Sequence, residues 1–383
     1  MKQCLFNILL ILLTLLGGTS CRHDDVIFIP EHVQVAEPTY SAVTGFYLLN
    51  EGNMGMNKCT LDYYDYASGV YTRNIYGAAN PSVPKELGDV GNDIAIYGSR
   101  LYAVINASNK VEVMRASDAT RIGQIEIANC RRIAFKDGYA YVTSYAGPIV
   151  IDPEYKQRGY VAKIDTATMQ VVDKCLVGYQ PDGIAIAENR IYVANSGGYM
   201  VPNYENTISV IDLASFTELK REVIDINLEN VIADSRGRLW ISSRGDYENV
   251  KSRLFCYDLR KERLEAAYDI PVGQMTLCGD SLYIVSNAYS NITQETTTSF
   301  ALFDIEKCAK VSDMFITDGT NERFSRPYSV NVNPLTKEIF VSDAKNYVTP
   351  GTLYCFSPQG VCLWSVRTGD IPAHIVFTGD ISY

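Results

Sequence analysis

The residues best suited to chemistry in this chain are tyrosines set among Asn, Gly and Ser in recurring polar segments. These read Asn50-Glu51-Gly52-Asn53-Met54-Gly55, Tyr145-Ala146-Gly147-Pro148, the stretch 195–204 (Asn195, Tyr199 and Tyr204), Ser243-Arg244-Gly245-Asp246-Tyr247, Asn287-Ala288-Tyr289-Ser290-Asn291 and Asp343-Ala344-Lys345-Asn346-Tyr347. Tyr supplies rigid amphipathic area, and Asn, Ser and Gly supply adaptable hydrogen bonds, which is the composition of a binding surface. The candidate ligand contacts are Asn50, Asn53, Tyr145, Asn195, Tyr199, Tyr204, Arg244, Tyr247, Tyr289 and Tyr347, together with Asn106 and Tyr328. A second set comes from seven short apolar runs aligned on Ile94, Ile133, Ile184, Val231, Met275, Val330 and Ile375. The residue before each reference position reads Asp93, Arg132, Gly183, Asn230, Gln274, Ser329 and His374, polar or Gly throughout, whereas the positions after it are mostly small or apolar. Asp93, Arg132, Asn230, Gln274 and His374 therefore join the candidates, as a polar ring at the entrance of a packed interior.

Catalytic signatures are absent: there is no HExxH, GxSxG, P-loop or GxGxxG. His374 is the one His after residue 41, so a His-based relay has a single candidate. Some lactonases hold a metal in a Glu/Asp/Asn cage, and Asp93, Asn230, Asp182 and Glu229 are the residues such a cage would use here. Arg132 in the same ring disfavours a cation. No catalytic residue, metal ligand or cofactor is assigned, and the chain is expected not to be an enzyme.

The elements that must position these residues repeat along the chain. An aromatic opening a run of β-formers recurs at Tyr47, Tyr102, Tyr141, Tyr192, Trp240, Tyr283 and Phe340, with gaps of 55, 39, 51, 48, 43 and 57. Each run is preceded by a short apolar strand and a Gly/Asp/Asn turn, and followed by alternating strands such as Ile208-Ser209-Val210-Ile211-Asp212. Four strands per repeat with turn residues between them describe a propeller blade. The last pre-aromatic strand, from Ile375, has no partner after it, and the first aromatic run, at Phe46, has none before it. Pairing the two completes a blade and hides both edges. The sequence thus predicts an all-β fold, a seven-bladed β-propeller over 42–383 closed by its N- and C-terminal strands.

Composition sets the outer limits. Of 383 residues, 34 are Lys or Arg and 44 are Asp or Glu, giving a net charge of −10, which argues against a nucleic-acid partner because phosphate binding needs a basic stripe. Lys2 followed by the apolar stretch 5–16 is too short to span a bilayer and reads as a signal peptide over 1–20. Gly17-Gly18-Thr19-Ser20-Cys21 resembles a lipobox, with Cys21 as the lipidated residue and 21–41 as a tether. Attachment is then by lipid anchor only. Cys355 and Cys362 flank a tight turn and leave a disulfide open, although the eight Cys after Cys21 read mainly as buried thiols.

The repeats resemble those of YncE-like seven-bladed propellers. Phe46-Tyr47-Leu48-Leu49-Asn50-Glu51-Gly52-Asn53, Gly88-Asp89-Val90-Gly91-Asn92-Asp93-Ile94, Asn195-Ser196-Gly197-Gly198-Tyr199 and Asp343-Ala344-Lys345-Asn346-Tyr347 resemble, more narrowly, the BtuG-type surface lipoproteins of Bacteroides-type bacteria. The resemblance implies a lipoprotein of the outer membrane, facing the exterior, with Arg22-His23-Asp24-Asp25 as its acidic export signal. It implies a corrinoid (vitamin B12 or a relative) as ligand and a TonB-dependent transporter as partner. A surface glycan- or peptide-binding propeller is the alternative, and a metal-dependent lactonase a further one.

Overall fold

The computed structural model describes residues 30–83 and 86–380. The expected signal peptide and Cys21 lie outside the described residues. Every second strand of the repeats is an unbroken apolar run because both of its faces are buried. In the strand Val43–Asn50, Tyr47 and Leu49 pack on the blade that follows, while Phe46 and Leu48 pack on the blade that precedes. Seven apolar clusters of this kind fill the wedges between neighbouring blades among the described residues.

The sheets are six of four strands and one of five, all antiparallel meanders. Blade I combines Pro372–Gly379, Val43–Asn50, Thr60–Asp65 and Val70–Arg73. Blades II to VII begin with the inner strands Gly91–Tyr97, Cys130–Lys136, Pro181–Ala187, Leu228–Ala233, Gln274–Cys278 and Pro327–Val332. Each inner strand touches the next, and Pro372–Gly379 touches both Pro327–Val332 and Gly91–Tyr97, so the ring is closed. The closure is the expected one: Phe46 stands opposite Phe377, Leu48 opposite Ile375 and Leu49 opposite His374.

The sequence alignment of the inner strands is also the structural register. Ile94, Ile133, Ile184, Val231, Met275, Val330 and Ile375 each face the residue directly after the blade's aromatic: Ala103, Val142, Val193, Ile241, Ile284, Val341 and Leu48. The aromatics themselves are wedge-fillers, with Trp240 stacked on Tyr268 and Phe340 edge-on to Phe46.

One expectation needs correction. The segment expected to be a tether up to residue 41 contains the strand Glu31–Gln34, which pairs antiparallel with Val70–Arg73 and adds a fifth strand to the rim of blade I. No apolar periodicity announces it, because a rim strand buries little; backbone pairing and the Arg73–Glu31 ion pair hold it. In blades II to VII the outer strand carries one unpaired bulge residue opposite the third strand: Ile122, Val172, Leu219, Glu265, Val311 and Leu363 in turn.

Candidate functional site

Antiparallel pairing puts the start of each inner strand beside the end of the second strand, so the polar column and the Tyr-bearing loops share one end of the disc. Hydrogen bonds between neighbouring inner-strand starts draw that end tight. Asp93 accepts from the backbone N–H of Ile94 at 2.9 Å and of Ile133 at 3.0 Å, tying blade II to blade III. The Asn230 amide donates to Ser242 Oγ and Gly273 O, both at 3.2 Å, tying V to VI. Thr143 Oγ1 donates to Asp182 O at 2.8 Å, and Ser342 Oγ to Pro372 O at 2.6 Å. Asp93 and Asn230 of the entrance column therefore line the mouth and, together with Thr143 and Ser342 of the second strands, staple it closed.

A charged network crosses the mouth. Arg131 donates twice to Asp182, at 3.2 Å each, and Arg244 donates to Asp182 at 2.9 Å and to Glu229 at 2.8 Å. Tyr145 Oη donates to Asp182 at 3.2 Å while Arg131 lies 4.8 Å over the Tyr145 ring. Burial alone would raise the Asp182 carboxyl, but the Arg131, Arg244 and Arg132 guanidiniums outweigh it and hold the group well below the usual carboxylate range. Glu229 goes the other way: burial raises it, and Arg244 offsets this only in part. Across the mouth, Tyr328 Oη donates to Glu51 at 2.8 Å, and Glu51 lies 3.2 Å from His374 Nε2. That nitrogen also sits 3.2 Å from Arg132 Nη1, and Arg132 reaches the Asn92 carbonyl. Burial, then the Glu51 charge, push the Tyr328 phenol well up, so it stays a donor at any ordinary pH.

Around this network stand the loop tyrosines. Tyr199 meets Tyr145 edge-on at 6.3 Å, and Tyr328 meets Tyr347 edge-on at 5.9 Å, with Arg326 5.4 Å over the Tyr347 ring. The Asn53 amide donates to the Tyr347 carbonyl and joins the loops of blades I and VII. Tyr199 and Tyr204 are half-buried, and Tyr247 and Tyr289 are exposed. Tyr247 has φ +64°, a left-handed conformation that a bulky residue adopts only when its surroundings hold it there. Gln274 reaches the mouth half-buried. The loop tips beyond the tyrosines expose Met54, Met56, Ile151, Val201, Ile292 and Val348.

Four candidates lie beneath this face. Asn50, Asn106 and Asn195 are fully buried, and Tyr145 is 2 % exposed. Asn195 donates to Thr207 and Ser209 at 2.9 Å each, Asn50 to Thr60 at 3.1 Å, and Asn106 to the Cys130 carbonyl at 3.0 Å. They end second strands, where an amide satisfies backbone and hydroxyl groups that the ladder leaves over. The sequence places them beside exposed residues but carries no sign of which side of the strand end they face.

Glu51, Arg131, Asp182 and Glu229 complete the network and were not among the candidate contacts. Their signal was charge beside apolar strand runs: Arg131, Asp182 and Glu229 at the starts of inner strands, and Glu51 just past the end of a second strand. Of the residues that a lactonase-type cage would use, Asp93 accepts from backbone N–H groups, and Asp182 and Glu229 pair with guanidiniums. All eight described cysteines, Cys355 and Cys362 included, are free thiols.

The fold recurs in solved structures. A crystal structure of a quinonprotein alcohol dehydrogenase-like protein from Bacteroides thetaiotaomicron is 12% identical, covering 88% of this chain and 79% of that one, with TM-score 0.59. Hydrazine synthase of Kuenenia stuttgartiensis is 16% identical over 69% of this chain and 76% of its own, with TM-score 0.54. The Pan2 WD40 domain of Neurospora crassa is 9% identical over 74% and 79%, with TM-score 0.51. These likenesses concern the propeller alone. No curated protein matches. Residues 44–357, from the first aromatic run to the third strand of blade VII, match the family described as Domain of unknown function (DUF5074), and the chain belongs to that family.

Proposed function

We propose that this protein is a lipid-anchored outer-membrane lipoprotein, facing the exterior, that captures corrinoids over the propeller mouth and passes them to a TonB-dependent transporter. The observation that carries the reading is the single face on which Tyr199, Tyr204, Tyr247, Tyr289, Tyr328 and Tyr347 surround a ring of donors and acceptors. A corrinoid is broad and flattish, with amides around its rim. Aromatic faces suit its apolar edges, and Asn, Gln and guanidinium groups suit its amides. The cross-blade staples fix these groups before binding, so little ordering entropy is lost. The exposed apolar loop tips around the mouth support the hand-over step, because they give a partner protein a surface to cover. A glycan finds less support, since Trp240 is fully buried and Trp364 packs on Tyr64 and Phe340.

The test is isothermal titration of residues 22–383 with cyanocobalamin and cobinamide. Saturable binding at sub-micromolar concentration supports the reading, and no heat at high concentration rejects it. The corrinoid visible spectrum should stay unchanged on binding, because His374 Nε2 already has a partner in either tautomer, donating to Glu51 in one or accepting from Arg132 in the other.

A further inference from the structure

Away from the mouth, two thiols and a carboxylate meet at the rim between blades V and VI. Cys256 lies on the third strand of blade V (Arg253–Asp258), fully buried. Cys308 lies in the turn before Ala309–Ser312 of blade VI and packs into the same wedge beside Ala266 and Tyr268. Glu265 is the bulge residue of the outer strand Arg263–Tyr268. The ligand atoms of these three side chains all lie within 4.8 Å of one another. Two thiolates on a tetrahedral ion at ~2.3 Å stand about 3.8 Å apart, so the three are within roughly 1 Å of chelating distance.

The repeat makes this meeting an exception that calls for an explanation. The residues at the bulge position of blades II, III, IV, VI and VII are Ile122, Val172, Leu219, Val311 and Leu363, all apolar and 40–54% exposed. Among the described residues blade V alone places a carboxylate at this bulge, and Cys256 and Cys308 stand beside it. Blade VII is the internal comparison: Cys355 occupies the position of Cys256, but its bulge residue is Leu363, and the adjoining turn, in blade I, carries Gly69 in place of Cys308. A bulge re-aims one side chain off the sheet, which is how rim positions acquire a site. Tyr268 Oη donates to the Cys308 carbonyl and lies 3.4 Å from Cys308 Sγ, the kind of outer hydrogen bond that orients a ligating sulfur. Among the described residues the Glu265 carboxylate has one other ion-pair partner, Lys261 Nζ at 3.7 Å, an exposed contact weak enough to yield to a cation.

We infer that Cys256, Cys308 and Glu265 form a cross-blade site for a thiophilic divalent cation, with zinc the ion that its two sulfurs and one oxygen suit, and with a fourth position open to solvent. Binding replaces two S–H protons with metal–sulfur bonds, releases those protons to solvent, and clamps the blade VI turn to blade V without any change of oxidation state.

The experiment is Co(II) titration of the full chain, fully reduced, followed by displacement with Zn(II). The expected result is a thiolate-to-cobalt charge-transfer band that saturates at one equivalent and is lost when zinc is added. Cys308→Ser should abolish the band. Glu265→Val installs the residue that blades III and VI carry at this position, so it should fold with an unchanged melting temperature and weaken binding on the order of tenfold or more. The inference is overturned if no band appears. It is also overturned if Glu265→Val binds as tightly as the parent, or if the isolated protein is two hydrogens lighter with neither thiol open to alkylation, which would make the pair a disulfide.

Discussion

Replacing Asp182 by Asn removes one charge and little else, and tests whether the mouth is held by electrostatics. Asp182 is fully buried and takes three hydrogen bonds from Arg131 and Arg244 and one from Tyr145. Removing one partner of a buried pair typically costs about 3–5 kcal/mol, because the other charge is left uncompensated. Arg244 keeps Glu229 as a partner and the two guanidiniums are partly exposed, so the lower end, about 3 kcal/mol, is expected here. With an unfolding entropy of ~2.1 cal/mol/K per residue over roughly 350 residues, that corresponds to a fall in Tm of about 4 °C. The sign with pH follows from the depressed carboxyl. Its stabilisation is complete above the unfolded value of about 3.9 and is lost as pH falls below that value towards the folded one. Urea unfolding of parent and variant from pH 7 downward should show a constant gap to about pH 5 and a shrinking one below about pH 4. A gap under about 1 kcal/mol at pH 7, or one that stays constant through acid, would refute the reading that this ion cluster holds the mouth.

Two further outcomes separate binding from packing. Tyr199→Ala, Tyr204→Ala and Tyr247→Ala should weaken corrinoid binding with melting temperatures within a few degrees of the parent, while Asn195→Ala should lose about 1–3 kcal/mol of stability by leaving Thr207 and Ser209 without their donor; titration calorimetry and chemical denaturation on the same samples decide between them. Phe377→Ala should cost about 3–5 kcal/mol, since Phe377 fills the closing wedge against Phe46 and Phe340, and a loss under about 1 kcal/mol would mean that the terminal strand contributes little to closure.

Much of the architecture was legible because a propeller writes its period into the chain. Tyr47, Tyr102, Tyr141, Tyr192, Trp240, Tyr283 and Phe340 recur where each blade needs a wedge-filler, and the inner-strand references aligned on them keep their register in three dimensions. Burial on both faces of each second strand produces the unbroken apolar runs that expose this period. Glu31–Gln34 was not legible, because a rim strand held by backbone pairing needs no apolar pattern.

The sequence by itself determined the number of blades, the closing strand pair and the end of the disc that gathers the polar column, since all three follow from a repeat that is one-dimensional. The tertiary structure alone decided what each polar residue does there. It turned Asn50, Asn106 and Asn195 inward, pinned Asp182 between Arg131 and Arg244, set His374 between Glu51 and Arg132, and brought Cys256, Glu265 and Cys308 together from two blades. The physical reason is that burial and apolar spacing act along a strand, whereas the partner of a charge or an amide is chosen across blades, by side chains far apart in the chain.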